Sequence, residues 1–155
     1  MNDSFMREAI RLSVEKMREG RGGPFGAIIV KDGQIVGRGW NEVTTANDPT
    51  AHAEIVAIRA ACQALNTFQI HGCEVYSSCE PCPMCLAAIY WSRPERVFFG
   101  NSREDAAIAG FDDWLIYQEL KLPHEERGIP IQQMMSEEAK AAFDAWAKLE
   151  NKIRY

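Results

Sequence analysis

Phe25-Gly26-Ala27-Ile28-Ile29-Val30-Lys31, then Asp32-Gly33, then Gln34-Ile35-Val36-Gly37-Arg38-Gly39-Trp40, is the stretch that decides the fold. Two β-rich runs joined by an Asp-Gly pair predict a hairpin. Before it, Phe5, Met6, Ala9, Ile10, Val14 and Met17 recur at helical spacing, so a helix is expected from about Ser4 to Arg18, with Gly20 as its stop. After it, Asp48-Pro49 offers an N-cap and a first-turn proline for a helix from about Thr50 to Leu65. Strands are expected at Glu74 to Ser78, Arg96 to Phe99 and Ile129 to Met134. Helices are expected from Pro81 through Trp91, over Asp113 to Leu120 and over Glu137 to Glu150. A hairpin followed by alternating helices and strands predicts an α/β fold: a three-layer α/β/α sandwich around a five-stranded mixed sheet.

At 155 residues the chain suits one domain, taken here as residues 1–155, with a core that needs no staples. Asp3, Arg7 and Glu8 leave no apolar leader at the N-terminus, and no run reaches the length of a membrane span. The cytoplasm is the expected compartment. The net charge of −5 and the lack of a dense Lys/Arg run weigh against a nucleic-acid partner. Five cysteines are an odd number for a disulfide framework; closely spaced in a reducing compartment, they read first as metal or redox groups.

Two segments carry the chemistry: His52-Ala53-Glu54 and Pro81-Cys82-Pro83-Met84-Cys85. Each falls in the first turn of a predicted helix. Cys82 and Cys85, three apart, share a helix face, and the helix N-terminus favours their thiolates. His52 and Glu54 cannot share a face. They converge only on something beyond the helix end, toward which side chains lean. A metal ion placed end-on satisfies both segments, with His52, Cys82 and Cys85 as ligands. Three protein ligands leave one position for a water that Zn2+ would activate, and Glu54 is then free to act as general acid and base.

Blander readings stand beside this one. Cys79 also forms a C-x-x-C with Cys82, which would suit a thiol-redox pair. Four ligands from Cys79, Cys82, Cys85 and His52 would make a closed structural zinc, leaving Glu54 idle. Cys79 more simply packs at a strand end, as Cys62 and Cys73 do elsewhere, and His71 and His124 read as solvated.

With those residues in place, the chain resembles the cytidine deaminase superfamily, whose zinc nucleobase deaminases carry H-x-E followed by P-C-x-x-C. Within it, the likeness is greatest to the bacterial guanine deaminases. Gly23-Pro24-Phe25-Gly26-Ala27, Asn47 through Glu54 and Ser78 through Cys85 carry it, together with Gly110-Phe111-Asp112-Asp113, Ile116-Tyr117 and the closing Tyr155. The resemblance implies a cytidine deaminase-like fold, a Zn2+ cofactor and hydrolysis of guanine to xanthine and ammonia. It implies a pocket in which Phe25, Trp91 and Tyr155 sandwich the ring. Asn41, able to donate and accept, suits a purine's mixed edge. Asp113 can accept from N1–H and the 2-amino group of guanine, although one of Asp112 and Asp113 can instead cap the following helix. Trp91 reads equally as core. The relatives are dimers, some with exchanged C-terminal segments, so a homodimer acting on a small purine base and water is expected. Guanosine, cytosine or tRNA adenosine deamination, and a non-catalytic zinc or thiol-redox protein, are the rival readings.

Overall fold

The computed structural model describes residues 3–154. The chain divides into two units, Met1–Asp113 and Trp114–Tyr155. The first opens with helix α1 (Asp3–Arg18), then strands β1 (Gly26–Lys31) and β2 (Gln34–Trp40) and a single turn, α2 (Val43–Ala46). It continues through α3 (Ala53–Leu65), β3 (Cys73–Cys79), α4 (Pro83–Ser92), β4 (Arg96–Asn101) and α5 (Arg103–Ile108).

The hairpin forms as expected. Asp32 (φ 50°) and Gly33 (φ 74°) both take positive φ, the two-residue turn that matches strand twist. The sheet order is β2-β1-β3-β4; β1 runs antiparallel to β2 and β3, while β3 and β4 are parallel, so the sheet is mixed. Strand alternation then builds two cores. Ala27, Ile29 and Val75 face Ala53, Ala57 and Ala61 of α3, whereas Ile28, Val30 and Tyr76 face Ala9 and Leu12 of α1. The three layers of this unit follow from that alternation.

The layer carrying α3 sits unusually close to β2. A Cβ added at Gly39 would lie 2.1 Å from the Ala53 carbonyl oxygen, and one at Gly37 would lie 2.4 Å from that of Ala57. These two glycines therefore set how near the start of α3 comes to the sheet.

The sheet has four strands rather than the expected five. The segment Ile129 to Met134 forms no strand; Ile129 is 78 % exposed and Met134 74 %. Pro130 removes a ladder donor from the middle of that run, and among the described residues of the second unit there is no strand to pair with it. The second unit comprises α6 (Trp114–Glu119), a 3-10 turn at His124–Glu126 and α7 (Ser136–Lys148), close to the expected helices.

The start of α3 also differs from expectation. Asp48 does not cap it; its carboxylate accepts from the Thr50 backbone N–H at 2.8 Å and hydroxyl at 2.7 Å, closing a local turn. Helix geometry begins three residues beyond Thr50, at Ala53. Short α5, unforeseen in the sequence, carries a capping box between Ser102 and Asp105. No helix among the described residues is long and apolar enough to cross a membrane.

Gly39→Ala should lower unfolding free energy by about 2 kcal/mol, since backbone rather than a flexible side chain must yield. Chemical denaturation measures it, and an unchanged midpoint would show that α3 can slide away freely.

Candidate active site

Both chemical motifs begin helices, but one residue earlier than the first turn: His52 is the N-cap of α3 and Cys82 the N-cap of α4, with Pro83 at the first position. Neither side chain makes a capping hydrogen bond. A cap of the usual kind stabilises a helix by about 1 kcal/mol. Here the two residues turn instead toward each other.

His52 Nδ1 lies 3.6 Å from Cys82 Sγ and 3.5 Å from Cys85 Sγ. The three ligand atoms all fall within 4.8 Å of one another. Tetrahedral zinc, with bonds of about 2.3 Å to sulfur and about 2.0 Å to nitrogen, would hold such atoms about 3.6 Å apart. The donor set fits that ion in type and in spacing.

Protonation follows from the same crowding. The Cys85 thiol donates toward Cys82, and this bond, with the His52 ring, holds the Cys82 sulfur down at about 4. The bond to Cys82 and burial push Cys85 well up. Cys82 is thus the sulfur that gives up its proton more readily, and a dication placed beside both would favour the thiolate of each. His52 is raised, chiefly by its bond to Cys82.

Glu54 follows His52 into the first turn of α3 and is 6 % exposed. Its Oε1 accepts from the Ser77 hydroxyl at 3.0 Å, and its Oε2 receives the Cys85 thiol at 3.4 Å. Burial raises its pKa from the ordinary carboxylate range. A buried carboxyl with one oxygen turned to the His52, Cys82 and Cys85 cluster is equipped to hold and release a proton.

Cys79 is drawn elsewhere. It is 5 % exposed, donates to the Ser102 carbonyl at 3.6 Å and is pushed up to about 11 by burial. A thiol so masked is a poor redox partner for Cys82. Cys62 and Cys73 are also raised by burial, and His71 is exposed with Nε2 2.9 Å from Gln69 Oε1.

Of the residues expected around the base, Asn41 and Phe25 adjoin each other at the end of the hairpin, and Asp113 feels the charge of Cys82. The Asn41 backbone N–H donates to the Phe25 carbonyl at 3.1 Å, continuing the hairpin past its last strand pair. Asn41 Oδ1 accepts from the backbone N–H of Gly23 at 3.1 Å and of Val43 at 3.4 Å. Its acceptor is therefore engaged in the loop, and only its amide donor remains for another molecule. Asp113 is raised by burial first and then by the charge of Cys82, which puts its carboxylate within electrostatic reach of the cluster.

Phe111, which the sequence marked only as part of a resemblance, packs edge-on against Phe25 with centroids 4.9 Å apart. Gly110 (φ 91°) makes the turn that delivers it. Trp91, in the last turn of α4, is 63 % exposed and belongs to neither core. Tyr155 lies outside the described residues.

Residues 1–101 match the family described as the cytidine and deoxycytidylate deaminase zinc-binding region. The chain belongs to that family, whose fold and zinc-dependent hydrolytic chemistry its site matches. It is 53 % identical over 154 residues to the guanine deaminase of Bacillus subtilis, covering 99 % of each chain. The crystal structure of the Bacillus subtilis protein aligns with a TM-score of 0.97 at the same 53 % identity, over 100 % of this chain and 99 % of that one. A tRNA-specific adenosine deaminase of Aquifex aeolicus is 46 % identical over 95 residues, 61 % of this chain and 62 % of that protein.

The engagement of Asn41 separates two effects. Asn41→Ala loses the loop acceptor and should cost about 1 kcal/mol of stability, whereas Asn41→Asp keeps it and should cost little. Equal denaturation midpoints for both variants would refute the loop role.

Proposed function

We propose that this chain hydrolyses guanine to xanthine and ammonia, with His52, Cys82 and Cys85 holding Zn2+ and Glu54 moving the protons. The observation that carries this reading is likeness to a guanine deaminase over nearly the whole length, not only across residues 1–101. Likeness to the tRNA-specific adenosine deaminases, by contrast, runs at 35 to 46 % identity and covers 50 to 78 % of the chain.

Bound at this cluster, zinc would supply a water whose proton is lost near neutral pH. Glu54 Oε2, on the cluster side, takes that proton and passes it to a ring nitrogen of the base. The same carboxyl then helps protonate the departing amine. Guanine and water become xanthine and ammonia, and Glu54 ends as it began. Asp113 accepts from N1–H and the amino group, an edge that cytosine presents only in part. Asn41 contributes its amide donor, and Phe25 and Trp91 hold the ring by stacking. A site built on buried polar pairs rejects analogues that leave them unpaired.

The partner is thus a small purine base rather than a nucleic acid. The acidic balance of the chain, at −5, is consistent with that choice. Five free cysteines suit the cytoplasm. A second copy of the chain, with C-terminal segments exchanged, is the proposed cover for Trp114–Tyr155. Helices α6 and α7 contain no buried residue, and Trp114 and Phe143 are 62 % and 76 % exposed. Sedimentation equilibrium should report a species at twice the 17.5 kDa chain mass. A 17.5 kDa species would overturn the dimer.

The deciding experiment measures zinc content and ammonia release from guanine, guanosine, cytosine and a tRNA containing the target adenosine. Guanine should be the substrate, and Glu54→Ala should keep one zinc per chain yet lose turnover by roughly three orders of magnitude or more. Activity confined to another member of the panel sinks guanine as the substrate. Full activity in Glu54→Ala removes Glu54 from the mechanism.

A further inference from the structure

Strand β3 presents Cys73, Val75, Ser77 and Cys79 on the face toward α3, because side chains alternate and Tyr76 faces α1. Along that face the residues change from apolar to polar as the strand nears the two helix starts. Ser77 is 2 % exposed, in a position where Val75 two residues earlier simply fills the core. A hydroxyl buried so deeply costs stability unless it is bonded. Its one hydrogen bond among the described residues goes to Glu54 Oε1, at 3.0 Å.

That bond discriminates between the two oxygens of one carboxylate. Glu54 has three side-chain torsions, and its terminal one is broad and nearly two-fold, so nothing intrinsic to it selects an orientation. With Oε1 fixed to the strand, Oε2 alone is turned to the Cys85 side of the cluster. From this geometry we infer that Ser77 is a positioning residue, one that fixes the Glu54 carboxyl plane and assigns proton transfer to Oε2. The inference rests on the reading of Glu54 as the proton carrier. A hydroxyl that only satisfied a buried carboxyl would affect folding stability and leave turnover per folded enzyme alone. A positioning hydroxyl affects the chemical step while sparing substrate and metal binding.

The test uses the zinc-loaded full chain and its Ser77→Ala and Ser77→Thr variants. Zinc content, KM for guanine and kcat for ammonia release are measured, with a crystal structure of Ser77→Ala. Expected for Ser77→Ala are one zinc per chain, KM within about twofold of the parent and kcat lower by roughly 10- to 100-fold, the effect of one bond to a charged group. In its crystal structure the Glu54 carboxyl should occupy more than one orientation. Ser77→Thr should regain most of kcat. If the added methyl stops that variant folding, the kcat-against-KM split in Ser77→Ala decides alone. Parental kcat in Ser77→Ala, or a single unchanged Glu54 orientation, overturns the positioning role while leaving Glu54 itself standing. Absence of ammonia release by the parent from any base would fell the proton-carrier reading, and this inference with it.

Discussion

Two helix N-termini meet with their capping side chains turned away from their own backbones, and the site depends on that meeting. His52 and Cys82 each forgo a local hydrogen bond to stand 3.6 Å apart, with Cys85 at a similar distance from the imidazole. The arrangement crowds two sulfurs and an imidazole into one small volume. The same crowding suits a dication, since the three candidate ligand atoms already lie within 4.8 Å of one another and the helix ends favour the negative charge. Glu54 enters this cluster from the second residue of α3, held from behind by the strand.

The position of α3 is in turn a packing matter. Ala53, Ala57 and Ala61 meet β1 and β3, while Gly37 and Gly39 let the helix backbone approach β2 closely. Small residues on both sides leave little slack, so the helix start cannot drift from the sheet. The rigidity of an otherwise ordinary alanine-rich helix thus reaches the histidine and glutamate at its end. Around the rim, Phe111 against Phe25 ties the Gly110–Asp113 turn to the hairpin, and Asn41 spends its acceptor on the Gly23 loop. Rim residues are therefore fixed by the loops they join.

Much of this was legible in the sequence. Asp32-Gly33 between β-rich runs announced the hairpin, and positive φ at both residues is its cause. The spacing of His52, Glu54, Cys82 and Cys85 implied an end-on metal, because two residues apart on a helix cannot share a face. The fifth strand was misread: an apolar run with Pro130 in it resembles a strand locally, yet a strand exists only where a partner supplies its hydrogen bonds. The start of α3 was misread for a related reason, since Asp48 satisfies Thr50 and not the helix.

The sequence by itself determined most of the elements and the types of the candidate ligands and proton carrier, because each depends on local periodicity or on side-chain chemistry. Only the tertiary structure decided which atoms meet: Nδ1 of His52 with the sulfurs, Oε1 of Glu54 with Ser77, Phe111 with Phe25. Those pairings join residues 23 to 86 positions apart. No local pattern encodes such distances; strand alternation, glycine-permitted approach and the direction of two helices do.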